Sequence, residues 1–271
     1  MTRPAFDIDA LCAKHEVISR VEYEPARIEQ GYTRKWLRVD VGTGEIRIGD
    51  VSQEMIDLFI GGKGFDLRLM WDEVNPDTRW DSPENPVCIS SGPLGGTTSF
   101  SGAGKSLVTS ISPTTDAPID SNVGGFFGPY LKFSGFDALV VVGKSSDERV
   151  VVIDGANKQV RVESAPDEAI DSHVLAEQLT EMYAASPNDR DNVSVVSAGR
   201  GADHVRIGCL NFSWYDWRRG GVRLKQAGRG GIGTVFRAKK LKALVAHSAP
   251  WRPKWSRSEE RRVGKECATG C

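Results

Sequence analysis

Cysteine is scarce in this chain of 271 residues: Cys12, Cys88, Cys209, Cys267 and Cys271 are scattered, odd in number and form no CxxC pair. That argues against a disulfide framework or a zinc site and points to a reducing cytoplasm. Histidine is scarcer still. His15, His173, His204 and His247 lie far apart, with no cysteine or carboxylate at ligand spacing, so a metal site built from side chains alone is not expected. The sequence also lacks any run near the roughly 18 apolar residues needed to span a bilayer, and the polar, acid-containing stretch 1–29 reads as neither signal peptide nor anchor. It lacks net charge as well. A formal charge of −1 gives no general reason to bind nucleic acid or an anionic membrane. Nucleotide and hydrolase signatures are missing too: Gly102-Ala103-Gly104-Lys105-Ser106 ends like a P-loop, but Ser99 stands where its first glycine belongs, and there is no nucleophile elbow.

What the sequence has in quantity is glycine, 29 residues, and they cluster. A long chain with 39% apolar and 26% charged residues can bury a substantial core without staples. Two halves repeat one order of elements. In the first, alternating strands at 36–41 and 45–48 form a hairpin. A helix starts near Ser52, breaks at Gly61, Gly62 and Gly64, and resumes over 65–73 with Leu67, Met70 and Trp71 at helical spacing. Strands follow at 86–91 and 106–111, then Asn122-Val123-Gly124-Gly125-Phe126-Phe127-Gly128, an amphipathic segment and the apolar strand 138–142.

The second half has a hairpin at 150–153 and 159–162, then a helix at 172–185 capped by Asp171, with Leu175, Leu179, Met182 and Tyr183 on one face. A strand at 193–196 follows, then glycines at 228, 230, 231 and 233 and a strand at 243–245. An offset of 105 carries Ala138-Leu139-Val140 onto Ala243-Leu244-Val245, Gly125 onto Gly230 and Gly128 onto Gly233, which marks an internal duplication.

Paired glycine clusters are what a pseudo-two-fold domain needs to cradle two copies of one ligand, because glycine lets backbone N–H groups approach phosphate oxygens closely. From Trp217 to Pro250 there are nine Lys or Arg residues and no acid, so the second cluster sits in a positive field. Lys239, Lys240 and Lys242 read individually as a solvated helix face. The stretch 255–271 changes composition abruptly and reads as an artefactual tail.

Six strings occur in order: Gly61-Gly62-Lys63-Gly64; Ser82-Pro83-Glu84-Asn85-Pro86; Gly92-Pro93-Leu94-Gly95-Gly96-Thr97; Ser121 to Gly128; Leu131-Lys132-Phe133-Ser134-Gly135-Phe136-Asp137-Ala138; and Ala227-Gly228-Arg229-Gly230-Gly231-Ile232-Gly233. Over about residues 33–248 the chain thereby resembles the N-terminal domain of the aldehyde ferredoxin oxidoreductase family. The resemblance implies an α+β fold of two packed mixed β-sheets with flanking helices, internally duplicated about a pseudo-two-fold. It divides the chain into an N-terminal extension (1–31), a metallopterin-binding domain (32–250) and the tail.

It also implies a tungsten ion, with molybdenum as the alternative, held by two pyranopterins whose phosphates share a Mg2+. The family's cofactor-binding positions fall on Lys105, Asn122, Gly124, Lys225, Gln226, Gly228 and Arg229. The backbone carbonyls of Asn122 and Gln226 are the implied magnesium ligands, as suits a cation that prefers oxygen. Lys105 stands where the family has an arginine, keeping the charge but losing the bidentate fork, and Lys225-Gln226 replaces Arg-Ala.

No catalytic residue is expected within this chain. The resemblance places the [4Fe–4S] ligands and the substrate pocket in further, mainly helical domains. It implies oxidation of an aldehyde to a carboxylic acid by a cytoplasmic enzyme with ferredoxin as electron acceptor, and leaves a homodimer open. The alternatives are a reductase of aromatic-ring thioesters from the same family and a stand-alone cofactor-binding module without activity.

Overall fold

The computed structural model describes residues 7–13, 15–97, 103–165 and 171–248; the expected tail at 255–271 lies outside them. Helix α1 (Ile8–Ala13) and strand β1 (Val17–Glu22) precede the first half. That half comprises β2 (Lys35–Asp40), β3 (Ile46–Asp50), α2 (Gln53–Phe59), α3 (Lys63–Glu73), β4 (Val87–Ser90), β5 (Ser106–Ile111), β6 (Pro118–Val123), α4 (Phe127–Phe133) and β7 (Ala138–Val142). The second half comprises β8 (Arg149–Asp154), β9 (Gln159–Ser164), α5 (Ser172–Tyr183), β10 (Val193–Ser197), β11 (Leu210–Asp216), β12 (Gly221–Ala227), α6 (Ile232–Ala238) and β13 (Leu241–His247).

Local chemistry sets several boundaries. The Ser52 hydroxyl accepts the Met55 N–H at the start of α2, and the Asp171 carboxylate accepts the N–H groups of His173 and Val174 at the start of α5.

The strands form two sheets, ordered β3-β2-β7-β4-β5-β6 and β1-β9-β8-β13-β10-β11-β12. With β1 set aside, the two orders are the same element for element. The β2–β7 and β8–β13 pairs are parallel, and the remaining pairs are antiparallel. The duplication is thus a property of the fold. Between β5–β6 and β11–β12 the offset is 104: Asn122 pairs with Leu107 as Gln226 pairs with Asn211. From the helices onward it becomes the 105 expected from sequence, because the loop before α6 (228–231) is one residue longer than the loop before α4 (124–126).

Helices α4 and α6 are buried between the sheets, where α4 packs on β10 and β13 of the other half and α6 on β4 and β5. Their Phe127, Tyr130, Leu131, Val235 and Phe236 join Leu37, Val39, Val141, Val151, Ile153 and Val162 in one central core. Each such side chain, fully buried, contributes about 1.5–3 kcal/mol. Helix α3 covers the outer face of the first sheet and α5 that of the second. The extension supplies β1, which pairs with β9 and bonds across to the first sheet through Ser19 Oγ and the Gly44 carbonyl (2.6 Å).

Three expectations change. The buried face of α3 is Phe65, Asp66, Leu69 and Met70, whereas Leu67 and Trp71 point outward, 38% and 78% exposed. Lys239 and Lys242 are buried and form no solvated face: the Lys239 ammonium donates to the Pro83 and Gly143 carbonyls, and Lys242 pairs with Glu148. Strands β6, β11 and β12 fall where the sequence reading assigns no strand.

Candidate functional site at the seam of the two halves

Strands β6 and β12 are the outermost strands of their sheets, and they pass each other in opposite directions. Three contacts fix the crossing. A Cβ added to Gly230 would meet Ile119 Cγ2 at 2.3 Å, the Arg229 N–H donates to Ser121 Oγ (3.2 Å), and a Cβ added to Gly124 would meet Lys225 Cγ at 3.8 Å. Residue numbers therefore rise along one strand as they fall along the other. The 104-residue offset carries Ser121 onto Lys225 and Gly125 onto Arg229, so the Ser121–Arg229 contact maps next to the Gly124–Lys225 contact. The pseudo-two-fold consequently passes between Asn122-Val123 and Gln226-Ala227. No ladder joins these two strands, so each keeps one edge of backbone groups that no neighbouring strand pairs.

The glycines at this place divide into two kinds. Gly125, Gly230 and Gly231 have φ of +102°, +71° and +65°, which turns require. Gly124 and Gly228 have ordinary φ, and a Cβ on Gly228 would meet nothing within 4 Å. Neither strain nor crowding calls for glycine at 228. What it provides is bare backbone with open space in front of it, a cradle that a side chain would fill.

The charge around the seam is positive. Lys105, Arg223 and Arg229 are exposed, and among the described residues none has a carboxylate partner. Lys225 lies over the Trp214 ring, 5.7 Å from its centroid. Nearby acids are engaged: Asp120 pairs with Lys63 (2.5 Å) and Asp216 with Arg219 (2.8 Å). The Gln226 side chain is drawn away toward α5, its amide donating to Asn211 Oδ1 (3.2 Å), which in turn donates through Nδ2 to Ser172 Oγ (2.9 Å). Among the described residues no group of three His, Cys, Asp or Glu could hold a metal, so a cation at this place would depend on carbonyl and ligand oxygens.

All seven site residues expected from sequence come together here. Asn122, Gly124, Lys225, Gln226, Gly228 and Arg229 lie on the two crossing strands or just past their ends. Lys105 precedes β5, whose Ser106 pairs with Val123. The residues that sequence reasoning missed are Ser121, Asn211, Trp214 and Arg223. The alternation of Leu210, Phe212 and Trp214, answered by Val222 and Leu224, was the available signal for β11 and β12.

Fold and seam together define an internally duplicated two-sheet domain whose axis meets the surface in a positively charged backbone cradle. The family model for the aldehyde ferredoxin oxidoreductase N-terminal domain matches residues 36–248, and the chain belongs to that family.

Similar curated proteins include the tungsten-containing aldehyde ferredoxin oxidoreductases of Pyrococcus furiosus (30% identical over 218 residues) and Pyrococcus horikoshii (32% over 216 residues), each match covering 79% of this chain and 33% of the relative. Among solved structures, the active-site complex BamBC of benzoyl-coenzyme A reductase with 1,5-dienoyl-CoA aligns with a TM-score of 0.69 and 27% identity, over 81% of this chain and 31% of that one. The chain thus spans about a third of the length of the curated relatives it matches. The family is one of oxidoreductases, and no helix among the described residues is long and apolar enough to cross a membrane.

Proposed function

We propose that the seam holds the phosphate ends of a bis-pyranopterin tungsten cofactor, with molybdenum as the alternative metal. The observation that carries this reading is the pseudo-two-fold axis passing between Asn122 and Gln226. A ligand made of two like halves needs two like cradles, and duplicated strands crossing at their axis supply them. The backbone carbonyls of Asn122 and Gln226 would share one Mg2+, a cation that takes oxygen ligands and keeps phosphates in its shell. Gly124 and Gly228 would let the ligand approach the main chain, while Lys105, Lys225 and Arg229 would balance phosphate charge.

When bound, the metal–pterin group supplies two-electron redox chemistry, and this chain's part is to seat it, fix its orientation and set the charge around it. Catalytic side chains, the [4Fe–4S] ligands and the ferredoxin contact belong in this reading to the rest of a longer cytoplasmic protein that oxidises aldehydes to carboxylic acids. A second reading, reduction of an aromatic thioester, is favoured by the similarity to the benzoyl-coenzyme A reductase complex. The two differ in the substrate pocket, outside this domain.

The test is anaerobic purification of the longer gene product, with tungsten, molybdenum and magnesium measured by mass spectrometry and pterin by fluorescence after oxidation. Two pterins per group 6 metal, reduced to a small fraction by Gly124→Val with Gly228→Val, are expected. Full pterin content in that double variant would overturn the site. Assays with a viologen acceptor, on aldehydes and on aryl thioesters, separate the two activities.

A further inference from the structure

The duplication gives each sheet one outer helix, but the two helices face outward differently. On α5 the outward residues are His173, Glu177 and Glu181, and α1 packs against that helix. On α3, Gly64, Leu67 and Trp71 form an outward stripe at the i, i+3, i+7 spacing of a helix-packing seam, with Leu67 and Trp71 38% and 78% exposed.

The stripe continues into α2. Phe59 lies against Gly64, where an added Cβ would come within 2.5 Å of the Phe59 carbonyl oxygen, and Leu58 and Ile60 beside it are 65% and 63% exposed. Gly61 packs against Gly92 and Pro93, the residues that lead directly into exposed Leu94.

Ile60 is held in a strained turn. Its φ and ψ are 63° and −47°, and the Gly61 N–H donates to the Phe59 carbonyl (2.6 Å), which closes a γ-turn of the rare left-handed kind around a β-branched residue. The fold retains it by bonding Ile60 on both sides: its N–H donates to Ile56 (2.9 Å) and its carbonyl accepts the Tyr32 hydroxyl (2.6 Å). Strain of this kind, maintained to present an apolar side chain to water, belongs with a contact made elsewhere.

We propose that the face Leu94–Ile60–Phe59–Leu67–Trp71 is the seat of an apolar helix from the part of the longer polypeptide that follows this domain. The occupant is argued from three observations: the helical spacing of the stripe, its place on the half opposite the α5 helix that α1 packs against, and the match over only a third of the relatives' length. The inference rests on this chain being the N-terminal part of a longer protein, and it does not depend on which cofactor that protein holds.

Hydroxyl-radical footprinting, read by mass spectrometry, of the 271-residue chain and of the longer gene product tests it. Trp71 and Leu67 are expected to oxidise at least tenfold more slowly in the longer protein, and at a concentration-independent rate in the chain alone. Rates within twofold of each other overturn the proposal, and so does protection in the chain alone that grows with concentration, which would assign the face to a second copy. Trp71→Ser should leave the unfolding midpoint of the chain unchanged and lower that of the longer protein. Equal falls in both would make Trp71 a local structural residue and overturn the proposal. Pterin content, measured in parallel, keeps a failed cofactor reading distinct from a failed docking face.

Discussion

Replacing Gly230 by alanine and Gly228 by valine separates glycines that the fold needs from glycines that a ligand needs. At Gly230 the new Cβ must accept a φ of +71° and would sit 2.3 Å from Ile119 Cγ2. The left-handed backbone costs about 1–2 kcal/mol for an L-residue, and forcing a methyl against a packed side chain costs about 1–3 kcal/mol more. The sum, roughly 2–5 kcal/mol, corresponds in a domain of this size to a fall in midpoint of roughly 5–15 °C.

At Gly228 the backbone is ordinary and nothing lies within 4 Å of the added Cβ, so the expected change stays within about 0.5 kcal/mol, the range of surface substitutions. Thermal and urea unfolding of the two variants measure the stability half of the contrast. Pterin fluorescence of the longer protein measures the other half, where Gly228→Val should lose most of its pterin. If Gly228→Val unfolds as early as Gly230→Ala, the open cradle is an error. If it is stable and keeps its pterin, the ligand does not lie against residue 228.

Further predictions concern buried charge. The Lys132 ammonium donates to the Gly31 and Gly92 carbonyls (2.7 Å each) and lies 3.7 Å from Asp137, both side chains 1% exposed. Lys132→Met should therefore cost about 3–5 kcal/mol, and adding Asp137→Asn should cost less than the two single changes summed; strict additivity in urea unfolding would contradict the coupling. Asp66, fully buried under α3, has its pKa pushed up by burial to about 8, despite the hydrogen bond it accepts from Thr109. Its folded pKa exceeds its unfolded 3.8, so a destabilising contribution grows as pH rises from about 4 to 8; Asp66→Asn should gain more stability at pH 8 than at pH 5, and equal gains would refute this. For His247, burial alone would lower the pKa, but hydrogen bonds with Asp154 and Asp189 raise it to about 9. That contribution is complete below pH 6.5 and lost as pH rises through 9, so His247→Gln should flatten the decline in unfolding midpoint over that window.

The sequence by itself determined the repeat, the strands whose apolar alternation is strong, the Asp171 cap and the glycine clusters that became the seam. These are local or periodic properties, and a repeat in the chain must fold as a repeat. Only tertiary structure decided what the two clusters do together. Asn122 and Gln226 become neighbours because β6 and β12 are the last strands of two sheets packed about a two-fold, and no local pattern records which edge of one sheet meets which edge of another. The same limit explains α3: Leu67, Met70 and Trp71 share a helical spacing with two faces, and contact with β4, β5 and β7 selected the one carrying Phe65, Leu69 and Met70. It explains Lys239 and Lys242 as well, since composition marks a lysine as charged but only packing supplies the carbonyls and carboxylate that let it lie buried.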